Sequence, residues 1–228
     1  MVLLGTIVNG IAIAIGALLG SRLNGMRKEI HETAMQGIGL VVIVIGLSMA
    51  LKTEDLILVL IAIVVGGMLG SWIGLERWLN RFGTWMEQRV KGESQFAAAF
   101  VTSTLVYCVG PMSILGGLDS GLRDDHQILY TKSLLDGFSA VIFSSTLGVG
   151  VLFSLVPVVV YQGGIALSAD WIAQLLDEKA LDLMIQQVTA VGGLMIVGIG
   201  INLLKLAQIR VADLLPAIPI AAVCSFFF

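Results

Sequence analysis

Charge is what this chain has least of. Only 13% of its 228 residues are Asp, Glu, Lys or Arg, against roughly 25% in an ordinary soluble domain. A water-facing surface cannot be assembled from so few, so most of the surface faces lipid. The net charge of −3 comes with no basic face, and nucleic acid is not an expected partner. Histidine is nearly missing too. His31 and His126 both fall in polar connections, which leaves nucleophilic catalysis without a base. Glycine-rich phosphate loops, paired catalytic carboxylates and Ser/His/Asp sets are absent, so the sequence does not read as an enzyme. Neither a cofactor nor a metal site is expected; Asp124-Asp125-His126 has no ligand spacing and reads as a solvated turn. The two cysteines, Cys108 and Cys224, lie in apolar runs and read as small hydrophobes rather than a disulfide. Met1–Ser21 has no basic stretch before its apolar run, and further runs follow, so it does not read as a cleaved leader.

What is present is hydrophobic: 57% of the residues and a mean hydropathy of +0.97. Seven runs carry no charge at all: Val2–Ser21, Thr33–Leu51, Leu56–Leu75, Ser94–Leu118, Gly137–Ala169, Leu183–Leu204 and Leu214–Phe228. Crossing a bilayer takes about 20 apolar residues of helix, and most of the runs reach that. Period-two alternation is missing, which excludes a transmembrane barrel. The expected fold is all-α, a polytopic membrane bundle of about seven hydrophobic segments in one membrane domain, 1–228. Residues 76–93 read as an amphipathic surface helix, with Leu79, Phe82, Trp85 and Met86 on one side and charges between them. The Lys/Arg-rich first and third connections belong inside, which puts the amino-terminus outside. The sixth connection, with Lys205 and Arg210, also prefers the inside, whereas seven simple crossings place it outside.

Two stretches repeat. GIGLVVIVIGLSMALK (Gly37–Lys52) matches VGGLMIVGIGINLLK (Val191–Lys205), each with two glycines seven apart and a final lysine. Val8-Asn9-Gly10 matches Leu135-Asp136-Gly137. The sequence therefore reads as two related three-helix units, 1–75 and 131–228, around a central segment 94–118. Gly110-Pro111 breaks that segment, making it either a crossing or re-entrant. A re-entrant segment makes the units inverted, a common transporter plan with the site between repeats.

Helix-packing positions are read from small residues spaced along one face: Gly16, Gly20, Gly39, Gly46, Gly66, Gly70, Gly193 and Gly200. They also suggest a homo-oligomer, with a dimer favoured. The sharpest single residue is Asp136. It heads a 33-residue uncharged run, with Lys132 four residues earlier on the same helical side. An ionisable residue inside a span is costly and points to function. Asn9, its counterpart in the repeat, is expected nearby, and Ser139, Ser144, Ser145, Thr102 and Thr104 are candidates to line a path for a small solute or ion. The bland alternatives are a Lys132–Asp136 pair kept for structure and hydroxyls bonded back to their own helix. A non-transporting scaffold or partner subunit is the competing reading of the whole chain.

With these residues in view, the chain resembles the YqgA/YdfK family of small bacterial inner-membrane proteins. The most specific stretch is LVYCVGPMSILGGLDSGLRDD…ILYTKSLLDGFSAVIFSSTLGVGV, Leu105–Val151, supported by Val8-Asn9-Gly10 and VGGLMIVGIGINLL. The resemblance implies a multi-pass protein of the bacterial cytoplasmic membrane and a transport role without a settled substrate. SLLDGFSAV is also similar to the aspartate-centred motifs of small metal-ion exporters. Asn9 stands where those proteins carry a second aspartate, a departure that argues against cation export of their kind.

Overall fold

The computed structural model describes residues 1–22, 28–53, 55–90, 96–176 and 178–225. They form twelve α-helices: α1 (Leu4–Ser21), α2 (Lys28–Ala50), α3 (Leu56–Ile73), α4 (Leu75–Val90), α5 (Phe96–Cys108), α6 (Pro111–Leu122), α7 (Gln127–Leu147), α8 (Gly150–Phe153), α9 (Leu155–Leu167), α10 (Ala169–Leu175), α11 (Glu178–Leu203) and α12 (Ala217–Cys224). A single 3-10 turn, Val211–Leu214, precedes α12. Residues 91–95, which hold the end of the expected surface helix and the start of the fourth run, lie outside the described residues. Helix is the form these runs take because lipid offers no partner to an exposed backbone N–H or C=O. Among the described residues, α1, α3, α8 with α9, and α11 are long and apolar enough to cross a membrane. The α5–α6 pair, bent by 58°, is a fifth such stretch.

One apolar run folds differently from its reading as a single segment. Gly137–Ala169 is the second half of α7 followed by α8 and α9. Gly148, at φ 90°, ends α7 in a conformation that favours glycine. At its other end α7 reaches back to Gln127 and takes Lys132 and Asp136 into the helix. Charges that pair with each other do not mark a span's end, which is why counting charges hides this helix.

By contacts the chain divides into two compact units. The first contains Met1–Lys28 and Met86–Asp177. Within it α1 and α7 run parallel: Gly5 lies against Leu129, Gly16 against Gly137 and Ala140, and Gly20 against Val141 and Ser144. The α5–α6 pair runs alongside α8–α9 in the same direction. Phe96 at the head of α5 touches Gly150 at the head of α8, and Gly121 near the end of α6 meets Ala166 at the end of α9 and Ala169 at the start of α10. The bent pair thus runs beside α8–α9 from one end to the other. Between α7 and α6, Asp125 Oδ1 accepts from Gln127 N at 3.0 Å. His126 Nδ1 lies 2.9 Å from Ser120 Oγ. This is a capped turn.

The second unit contains Glu29–Trp85 and Glu178–Phe228. Here the two glycine segments that resemble each other pack antiparallel. A Cβ at Gly46 would stand 2.6 Å from the Gly193 carbonyl oxygen, and one at Gly193 the same distance from that of Gly46. Gly39 and Gly200 face each other likewise, at 3.4 and 2.9 Å. Exchanging the two segments leaves this contact unchanged. Within its own unit each pair is thus distinct: α1 and α7 run parallel, α2 and α11 antiparallel. Asp55 caps α3, accepting from Ile57 N and Leu58 N at 3.1 Å. Asp213 Oδ1 accepts from Glu76 N at 2.9 Å while Glu76 Oε2 accepts from Ala212 N at 3.0 Å, so α4 and the 3-10 turn cap each other. Along α4, Trp78, Phe82 and Trp85 stack at 6.0 and 6.1 Å between ring centres, with both tryptophans exposed, as interfacial anchoring requires. Gly66 and Gly70 press on Ala217 and Asp213 of the same unit. Their smooth face is therefore used inside the chain, not left for a second copy.

Candidate functional site

The first unit exposes large apolar side chains and buries several polar ones among its apolar core, as a protein solvated by lipid does. On α1, Ile7, Ile11, Ile15 and Leu18 are about half exposed, while Thr6 and Asn9 are buried at 1% and 0%. Asp136 lies in the middle of α7 at 5% exposure and Lys132 at 7%. Lys132 Nζ is 3.0 Å from Asp136 Oδ1 and 2.8 Å from Oδ2. The i,i+4 spacing on one helix makes this geometry available. From α1, Asn9 Nδ2 donates to Asp136 Oδ2 and to Gln162 Oε1 on α9, both at 3.1 Å. Gln162 Nε2 reaches toward Ser113 Oγ of α6 at 3.5 Å.

The fourth contributor is the break between α5 and α6. Pro111 opens α6 in its first turn, where its missing N–H costs nothing. The break frees the last carbonyls of α5. Ser113 Oγ donates to one of them, Tyr107 O, at 2.7 Å. Irregular backbone at membrane depth survives only when buried in protein or facing a hydrated path. Tyr107 is fully buried, and its hydroxyl faces the Ser139 side chain. Asn9 Oδ1 and Thr6 Oγ1 are buried and unpartnered among the described residues. Helices α1, α6, α7 and α9 thus bring polar side chains into one network around the charged pair.

The expected site residues divide. Asp136, Asn9 and Lys132 are brought together. Ser139 is adjacent, its Oγ donating to the Asp136 carbonyl at 3.0 Å. Ser144 instead donates to Ala17 O of α1 at 2.7 Å, and Ser145 to Ile142 O at 2.8 Å. These two hydroxyls serve helix packing and their own helix. Thr102 is buried on α5. Thr104, one turn before Tyr107, has a buried hydroxyl without a partner among the described residues. Gln162 and Ser113 join the cluster although the sequence does not mark them as ligands. The available signal for Gln162 is a lone polar residue in an apolar run, and for Ser113 its place just after Gly110-Pro111.

Residues 4–226 match the family described as "Protein of unknown function (DUF554)". The chain belongs to that family. This DUF554 chain is 28% identical over 227 residues to "Uncharacterized membrane protein YdfK" of Bacillus subtilis (strain 168), covering 97% of this chain and 95% of the relative. It is 28% identical over 225 residues to "Uncharacterized protein YqgA" of Escherichia coli (strain K12), covering 96% and 94%. No solved structure matches it. The DUF554 chain is therefore an all-helical membrane protein, and the buried cluster around Asp136 is the part of its first unit that packing of apolar helices does not call for.

Proposed function

We propose that the protein is a secondary transporter or channel for a small solute or ion, with the Asp136 cluster as its site. One observation supports this above the rest: a buried carboxylate–ammonium pair lies midway along α7 and is joined through Asn9 and Gln162 to Ser113 at the break between α5 and α6. Buried charge is expensive in a membrane and is kept where it does work. Broken helices at mid-depth are how transporters present backbone and side-chain ligands to a substrate. No nucleophile–base set accompanies the cluster among the described residues, so catalysis is not part of the proposal. Reconstituted into liposomes, the wild-type chain should carry flux of at least one small ion or metabolite. Asp136→Asn, checked for folding by its elution as a single species, should reduce that flux to background. Undiminished flux in the variant would sink the assignment of the site.

The reading places the chain in the bacterial cytoplasmic membrane with eight crossings: α1, α2, α3, α5–α6, α7, α8–α9, α11 and the 3-10 turn with α12. Eight crossings put the sixth connection, with Lys205 and Arg210, on the same side as the Lys/Arg-rich first and third, as the basic-loop rule asks. In a variant lacking Cys108 and Cys224, a cysteine at Gln208 should be labelled by impermeant thiol reagents only after the inner face is opened. One at Asp125 should be labelled in intact cells. The reverse pair of results would refute eight crossings.

A further inference from the structure

A helix lying on a membrane meets apolar chains, phosphates and water at three depths, and α4 sorts its side chains to match. Its backbone turns about 100° per residue. Around it from the buried Leu79 come Trp78, Phe82 and Trp85, then Arg77 and Arg81, then Asn80 and Thr84. Both tryptophans, both arginines, Asn80 and Thr84 are exposed. The aromatic stripe therefore adjoins the protein-facing side, and the arginines stand between that stripe and the polar edge. Rings at the acyl boundary, guanidinium groups at phosphate depth and amides in water follow the same order. Trp72, exposed in the last turn of α3, comes just before the Gly74 turn into α4.

The acids of this region are engaged elsewhere. Glu76 accepts from Ala212 N at 3.0 Å, and Asp213 accepts from Glu76 N at 2.9 Å. Asp55 caps the far end of α3. Glu87 follows Glu76 by about three helical turns, which puts it on the side of Glu76 and not of the arginines. Among the described residues no ion pair joins Arg77 or Arg81. Arg77 bends back toward the end of α3, where a Cβ at Gly74 would stand 2.9 Å from its Nη2, a place that favours a cation. Arg81, one turn further along, has no such neighbour printed by its own helix or by the 3-10 turn.

We propose that this face of α4 docks anionic phospholipid. Arg77 and Arg81 hold the headgroup phosphate, whose oxygens suit the planar guanidinium fork, and the acyl chains lie against Trp78, Phe82 and Trp85. A zwitterionic phospholipid offers the same phosphate but brings its own cation, which the two arginines repel. The face therefore selects lipid of net negative charge.

The test uses the full chain with Trp72→Phe and Trp171→Phe, so that Trp78 and Trp85 report. It is reconstituted into phosphatidylcholine vesicles containing, at equal mole fraction, either phosphatidylglycerol or phosphatidylcholine brominated in the acyl chains. Brominated phosphatidylglycerol should quench the two tryptophans in clear preference, with an apparent affinity higher by about fivefold for each arginine. Added potassium chloride should shrink the preference. Arg81→Gln should lower it about fivefold, and Arg77→Gln with Arg81→Gln should abolish it while the protein still elutes as a single species. A chain keeping only Trp171, on α10, should show no preference that responds to the arginine changes. Equal quenching by the two lipids with both arginines present overturns the proposal, as does a preference that survives the loss of both.

Discussion

Lys132→Met and Asp136→Leu, introduced singly, should each lower the stability of the folded protein by about 3–5 kcal/mol, and together should restore most of it. Either single change leaves one charge in an interior where its partner held it at 2.8–3.0 Å. The double change leaves an apolar pair of similar volume. Asn9 then loses one acceptor but keeps Gln162 Oε1 at 3.1 Å, so a residual loss of about 1 kcal/mol remains. Denaturant titration in a fixed detergent, followed by tryptophan fluorescence, reads the three variants against wild type. Additive losses in the double variant would mean that the two side chains do not act as a pair.

The glycine seams should show nearly as large an effect. Gly16 and Gly70 lie where a Cβ would collide with the carbonyl oxygens of Gly137 and Asp213, which are backbone atoms that cannot swing aside. Gly16→Ala and Gly70→Ala should each destabilise by about 2–3 kcal/mol, and leucine at either place should prevent folding. Gly164 is the control. It lies on α9, and a Cβ there would meet nothing within 4 Å, so Gly164→Ala should be neutral or stabilise by up to about 1 kcal/mol. Thermal melts of the three alanine variants decide this; equal effects at all three positions would contradict the packing described.

Much of this is legible in the sequence, for reasons that particular residues show. Scarcity of charge marks the membrane class directly, because lipid tolerates few solvated side chains. Two short matching stretches pair Asn9 with Asp136, and the structure puts their side chains in hydrogen-bond contact. The head of α7 is less legible. Asp136 reads as standing inside a span with Lys132 on its helical side, but a sequence does not reveal that the helix begins before both, at Gln127. Residues 94–118 can be read as crossing or as re-entrant, and contacts show the described part, α5–α6, running alongside α8–α9. Gln162 is hidden for a different reason. A single amide in an apolar run is most often helix-to-helix glue, and only tertiary packing brings it to Asn9, the partner of Asp136. Gly66 and Gly70 show the converse limit: spacing identifies a smooth face but not what covers it.

The most direct measurement of the central claim is flux through the Lys132→Met/Asp136→Leu double variant in liposomes, compared with wild type at equal reconstitution. This variant is expected to be well folded, so loss of activity cannot be blamed on collapse. If the buried pair is the transport site, the double variant folds and carries no flux above protein-free liposomes. Wild-type flux through a chain that lacks both charges would contradict the account and leave the pair a structural one.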